Sequence, residues 1–464
     1  MKINRIMRVA VVALAASSLT GCHIYNKYST PTDTAITKAY VEARQTPPGS
    51  AAFGNLLWEK VFTDAKLASL IEQALQNNTN LRNAQLNVEI AQANLQGAKL
   101  SYLPSLALAP NGSGSSIAGS DISWGYTLPA QLSWEVDIFG KLLNSKRGAQ
   151  AALLQSEAYA QAVRSQIIAG VASTYYSIVA VRNQLELSRN TAGLWKETVN
   201  TMRDLKEGGR GVTEAAVVQS AANYYSILGS VTDLESTLVK LNNTMSLLLG
   251  EMPQTWEIPA AKSVSLPAEF NAGVPMVALA NRPDVIAQER NLAIAYYTTN
   301  TARAAFYPSL TISANGGFTN SLGNAIFNPG KWFVNLAGQL AAPLFARGQN
   351  IARLKATKAQ QEQAMNTFEY TLMKASGEVG SALVTYANIL SKEQHLAAQV
   401  DYMTQAVDIT ETLFTNSATT FNTTYLEVLT AQQNLLGSQM NFLNCQLARS
   451  QAVINLYQSL GGGR

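Results

Sequence analysis

The sequence predicts a mainly α-helical chain that also carries membrane-facing β-strands, built as a tandem repeat whose sheet other copies must complete. Three observations predict it. Two stretches, 142–206 and 348–414, hold no proline and carry helical periodicity. A few short segments instead alternate apolar and polar residues with the period of two that marks a strand. The chain also repeats its own motifs once, in the same order.

The 464 residues are 14% charged and 47% hydrophobic, with a mean hydropathy of 0.00. That is poor in charge for a long helical protein, yet past the leader no segment reaches the ~20 apolar residues of a membrane helix. The formal charge of +4 owes much to Lys2, Arg5 and Arg8, which precede Cys22 where no acid does. The remainder is close to neutral and gives no electrostatic footprint for nucleic acid.

Residues 1–21 read as a lipoprotein signal peptide. "MKINRIMR" is its basic start and "VAVVALAASSL" an apolar stretch too short to span a bilayer. Leu19-Thr20-Gly21-Cys22 resembles a lipobox, which implies cleavage before Cys22 and acylation of that cysteine. An ordinary signal peptide with a chance cysteine is the other reading. Residues 22–55 follow as a lipid-anchored N-terminal segment. Cys445 lies in a helical pattern and reads as a small core residue.

The duplication is visible where Tyr102-Leu103-Pro104-Ser105-Leu106 is set beside Phe306-Tyr307-Pro308-Ser309-Leu310. Asn80–Leu100 lies upstream of the first motif as Asp284–Ala304 lies upstream of the second. Asn111-Gly112 and Asn315-Gly316 follow them. The repeats run over 56–250 and 264–464, with 251–263 as a linker. Each places a helix first, then Pro-Ser-Leu opening a strand, a loop rich in Gly, Ser and Asn, a return strand and two long helices.

The strands fall at about 104–112, 123–138, 308–319 and 332–344. In the second, Trp124, Tyr126, Leu128, Leu132, Trp134 and Val136 occupy one face, while Ser123, Thr127, Gln131, Ser133 and Glu135 occupy the other. Several segments reach the ~9–11 residues that cross a bilayer when tilted. An open sheet in lipid would strand its edge N–H and C=O groups, and four strands are too few to close. An apolar face against lipid therefore demands several chains per barrel, with eight strands from two or twelve from three. A soluble sandwich with that face packed inside is the competing arrangement. Trp124, Trp134 and Trp332 suit the aromatic girdle of an outer-membrane barrel.

In the first long helix Val163, Ile167, Val171, Tyr175, Ile178, Val181 and Leu185 recur every three to four residues. Glu207–Gly211 ("EGGRG") stops it and a return helix runs from about Thr213 to Leu249. The second pair covers about 348–414 and 424–460 and ends at Gly461-Gly462-Gly463. Each long helix measures on the order of 100 Å at 1.5 Å per residue, so it needs partners along its length. Gathered beneath a shared barrel, such helices would form a hollow tube.

Catalytic and cofactor chemistry finds no support. The two histidines, His23 and His395, stand far apart, and His395 reads as a surface helix residue. No Cys/His spacing suits zinc, and the glycine-rich loops lack the lysine of a phosphate loop. No metal site, cofactor or enzyme activity is expected.

On these residues the chain resembles the TolC-like outer-membrane efflux proteins, in their lipoprotein branch, which serve RND-type tripartite efflux pumps. "LLWEKVFTDAKLASLIEQALQNNTNLRNAQLNVEIAQANL" is similar to that branch's opening and "SWEVDIFGKL" to its strand-to-helix junction. "LANRPDVIAQER" is similar to its second-repeat opening, and "YLEVLTAQQNLL" and "LYQSLGGG" to its last turn and end. The resemblance implies a homotrimer with a twelve-stranded barrel in the bacterial outer membrane and an α-helical tunnel in the periplasm. It implies passive export of small molecules such as drugs or toxic compounds. The partners implied are a periplasmic adaptor (membrane fusion) protein, an inner-membrane RND-type transporter and outer-membrane lipid. The tunnel end would close near the turns 207–213 and 415–424. There Leu426 and Glu427 match the family's aperture residues by position. Thr430 stands where many relatives carry a second carboxylate, and Ala216 where some carry an acid, so the sequence departs from a double acidic ring. The outer-membrane channel of a type I protein secretion system and a lipid-anchored helical scaffold without a pore are the alternative functions.

Overall fold

The computed structural model describes residues 23–45, 57–209, 212–259, 276–321, 331–343, 345–416 and 425–463. Residues 1–21, expected as a signal peptide, Cys22 and the 417–424 part of the second helix turn lie outside the described residues. A 3-10 turn over His23–Tyr25 is followed by α1 (Ala35–Gln45), α2 (Trp58–Val61), α3 (Ala65–Asn77) and α4 (Thr79–Leu100). Then come β1 (Ser105–Leu108), β2 (Asn111–Ser115), β3 (Ser123–Val136), α5 (Lys141–Glu207) and α6 (Glu214–Leu249). After them come α7 (Met276–Ala280), α8 (Pro283–Ala304), β4 (Ser309–Ser321), β5 (Lys331–Ala341), α9 (Gln349–Asn416) and α10 (Tyr425–Ser459).

Two compact units form, and both halves of the sequence contribute to each. The first gathers Leu86–Ala158 and Ile286–Thr371 with the segment ending at Lys38. The second gathers Ala39–Gln85, Tyr159–Val285 and the chain from Leu372 onward.

The first unit contains the sheet. Its strand order is β1-β3-β4-β5, all antiparallel, with β2 paired to the same edge of β3 as β1. The strand expected over 104–112 is therefore two pieces. Register carries through the break, because Leu108 faces Ala130 and Asn111 faces Thr127 with two residues between them on each strand. Pro110 interrupts the ladder because it has no N–H to donate. The glycine- and serine-rich stretch after it, expected as loop, pairs as β2. The edge of β3 supplies backbone partners, and pairing outweighs poor intrinsic strand propensity. The same override carries β4 through Asn315-Gly316-Gly317 to Ser321. The last strand stops at Ala341, before Pro343.

The turn from β3 into α5 is fixed locally. The Asp137 carboxylate accepts from the amides of Leu142 and Leu143 at 3.1 and 2.7 Å, satisfying orphan donors of the first helical turn. Gly140 holds φ +70°, and a Cβ there would press on Tyr25 and Ile24 at 3.1 and 3.3 Å. Phe139 stacks on Tyr307 with ring centroids 5.0 Å apart, so the two junction motifs meet. Beneath them Ala151, Ala293 and Tyr297 form a small core with Tyr28 and Tyr296.

The second unit buries a conventional helical core. Of the periodic residues on α5, Ile167, Val171, Tyr175, Ile178, Val181 and Leu185 are all buried. Trp58, Phe62, Leu67, Leu70 and Ile71 of the short N-terminal helices are buried too, with Phe62 edge-on to Tyr457 at 5.9 Å. Asp64 caps α3 through the amides of Lys66 and Leu67 and accepts from the Tyr175 hydroxyl at 3.0 Å. Thr213 caps α6, and Gly250 ends it in the left-handed region, where a Cβ would lie 2.7 Å from the Asn77 carbonyl oxygen. Cys445 is buried and free, and His395 is exposed. Among the described residues no helix is long and apolar enough to cross a membrane.

Candidate functional site: the sheet faces and the helix turns

Directly opposed residues in an antiparallel pair share a face, so the registers assign every strand position to one of two surfaces. In this sheet all even-numbered residues share one face. Leu132 opposes Leu106 and Ala314, Trp134 opposes Ile312, and Phe318 opposes both Leu128 and Trp332. The face is apolar across all strands and uncovered. Leu106, Trp332 and Leu336 are 74%, 75% and 78% exposed. A patch of this extent is not tolerated against water and marks contact with a hydrophobic phase or partner. The opposite face carries Ser105, Ser133, Thr127, Gln131, Ser313, Asn315, Asn335 and Gln339.

The three tryptophans sit on the apolar face at its ends. Trp134 lies two residues from the helix-side end of β3, and its indole N–H donates to the Tyr102 carbonyl at 2.9 Å. Trp124 and Trp332 lie at the opposite end, one residue inside β3 and β5. Both outer strand edges, β1–β2 on one side and β5 on the other, have no strand partner among the described residues.

At the helix turns the structure separates buried from exposed positions of α10. Val428 and Leu429 are buried, and Leu429 packs with Ala192, Trp195 and Ile227 of α5 and α6. Leu426, Glu427 and Thr430 lie together on the exposed side. The Thr430 hydroxyl donates to the Leu426 carbonyl at 2.7 Å, so it bonds within its own helix. Ala216 is half-buried. Phe414 and Tyr425 close the two helices edge-on at 5.1 Å, and Gln432 donates to Glu411 at 2.8 Å. Lys206 and Glu214 pair across the other turn.

A buried arginine outside the sequence-predicted site residues fastens three helices. Arg282, in the quoted "LANRPDV", is buried and makes a fork to both Asp284 oxygens at 3.0 and 2.8 Å. It also bonds Glu378 at 2.6 Å and the Ser459 carbonyl at 2.9 Å. It thereby ties the start of α8 to α9 and the end of α10. Burial alone would raise the Asp284 pKa, but the Arg282 guanidinium outweighs it and holds the carboxyl below its ordinary value. An arginine two residues before an aspartate at a helix start was the available signal. Arg282 also lines a cleft of about 800 Å³ of mixed character, with Ser165, Gln166, Thr385 and Asn455 beside Ala162 and Ala452. Among the described residues no group of three or more His, Cys, Asp or Glu could hold a metal ion.

A sheet with a continuous exposed apolar face, a hydroxyl- and amide-lined reverse and long helices leading from it defines an outer-membrane channel subunit. The chain belongs to the family described as outer membrane efflux protein, whose model matches residues 70–250 and again 274–462. It is 27% identical over 459 residues to the cation efflux system protein CusC of Escherichia coli, covering 97% of each chain. It is 26% identical to the probable outer membrane lipoprotein SilC of Salmonella typhimurium, covering 90% of each. The fold is similar to the open state of the Neisseria gonorrhoeae MtrE outer membrane channel. The TM-score there is 0.75 at 26% identity, over 90% of this chain and 94% of that one.

Proposed function

We propose that the chain is the outer-membrane exit duct of a tripartite efflux pump and that three copies build it. The observation that carries this reading is the open sheet, apolar on one face, with neither edge paired to another strand among the described residues. In lipid such edges must find strands, and three four-strand sheets (β1 and β2 counted as one) give twelve, within the range of outer-membrane barrels. Trp124 and Trp332 would then lie at the outer interface and Trp134 at the periplasmic one, as an aromatic girdle. The tandem repeat is supported by the same element order in both halves and by the family model's two matches.

The duct supplies no energy and no catalysis. It receives small molecules, such as drugs or toxic compounds, from an inner-membrane RND-type transporter through a periplasmic adaptor. Relatives named for cation efflux and for toluene efflux are each 27% identical to this chain, so the likeness by itself singles out no substrate. Cys22 carries the lipid anchor, by its lipobox and by likeness to an outer membrane lipoprotein.

The exposed cluster Leu426, Glu427 and Thr430 would border the periplasmic aperture. Three copies of Glu427 would gather negative charge there and favour cations weakly. Purified protein in a planar bilayer should give discrete conductance steps, and Glu427→Ala should raise them. Unchanged steps in Glu427→Ala would remove that residue from the aperture. A protein that never conducts would overturn the duct.

A further inference from the structure

The polar face of the sheet has an arrangement that a generic wet wall does not need. Gln131 of β3 opposes Asn315 of β4, and Asn315 opposes Asn335 of β5. Three primary amides therefore stand side by side on one rung, in three neighbouring strands. The rung lies well inside the sheet, five residues from the helix-side end of β3 and six from that of β4 and β5. At that depth polar side chains are retained where they face water or protein. Asn315 Oδ1 is enclosed and has no hydrogen-bond partner among the described residues.

The same face is free of charge over most of its area. Within the strands, over 105–108, 111–115 and 123–133 of β1–β3, 309–317 of β4 and 333–341 of β5, it carries no ionisable side chain; the ionisable positions of this face, Glu135 and Lys331, stand at strand ends. Glu135, at the helix-side end, is paired with Lys141 at 2.8 Å. Rings of carboxylates or of basic side chains are how pores select ions by sign. This wall offers amide dipoles instead, which donate and accept equally.

We infer that Gln131, Asn315 and Asn335 form the hydrogen-bonding lining of the barrel lumen and make that stretch of the conduit indifferent to the sign of solute charge. In three copies the row supplies nine amides, so polar solutes of either charge or none are wetted alike along that stretch, and any sign preference comes from elsewhere in the conduit. This inference rests on the duct reading and adds the chemistry of its lumen.

The test is the potassium-to-chloride permeability ratio of the full-length channel in planar bilayers. It is measured in a Glu427→Gln background so that the aperture carboxylates do not contribute. That background should give a ratio of roughly 0.5–2, and adding Asn315→Asp should raise it by roughly threefold or more, because each trimer gains three lumen carboxylates. Gln131→Glu on the adjacent strand should produce the same shift, which keeps the test decisive if Asn315→Asp does not assemble. Conducting channels whose ratio neither substitution moves would overturn the amide lining and leave the duct intact. A strongly sign-selective Glu427→Gln channel would do the same. Absence of conductance in every variant would overturn the duct reading and this inference with it.

Discussion

The two units handle apolar side chains in opposite ways. In the second unit, helical periodicity on α5 turns inward, and Ile167, Val171, Tyr175 and Ile178 are buried, as are Trp58 and Leu67. In the first, the two-residue periodicity of the strands leaves Leu106, Val334, Leu336 and Leu340 largely exposed. Both patterns are equally regular. What differs is the phase each is built to meet: the helical stripe finds its solvent-free environment within the chain, and the sheet does not. An amphipathic pattern thus fixes which face avoids water and leaves open whether protein or lipid covers it.

The sharpest break in this comparison is a truncation in the buried core. Leu67→Ala removes a fully buried side chain and should destabilise the second unit by about 3 kcal/mol, read by thermal unfolding in detergent. An effect below about 1 kcal/mol would mean that this core is looser than described. Next is the sheet. Leu336→Arg on the apolar face should lower stability in a bilayer by about 2–4 kcal/mol, whereas Gln339→Arg on the polar face should be tolerated. Equal effects of the two would erase the distinction between the faces.

The smallest effect concerns pH. The Asp284 carboxyl sits below its ordinary value in the folded chain, so its contribution is present above the unfolded pKa of about 3.9 and is lost as pH falls through the folded value. Wild type should therefore lose stability below about pH 4, and Asp284→Asn should flatten that part of the profile. Identical acid limbs in both would remove the Arg282 fork as a fastening. Asp284 is about half exposed, which keeps the effect modest.

Much of this was legible in the residues. Helix limits fell within a few residues of expectation because Thr213, Gly250 and Gly461 are local stop and start signals. The apolar strand face was readable from Trp124 to Val136 alone. The extension of the first strand past Gly112 to Ser115 was not, because Gly114 is a poor strand former that pairs here along the edge of β3. The strand tryptophans were placed by period, but Arg282 was not recognised as a fastening, since its partners Glu378 and Ser459 are remote in sequence. Leu426, Glu427 and Thr430 share a face by helical spacing. Whether that face borders an aperture depends on other chains, which no single sequence displays.

The most direct test is the mass of the particle extracted from membranes in mild detergent, taken together with its conductance. Three chains per particle, forming pores on reconstitution, is the expected result. A stable single-chain particle that forms no pore would contradict the claim that this sheet is finished by its own copies.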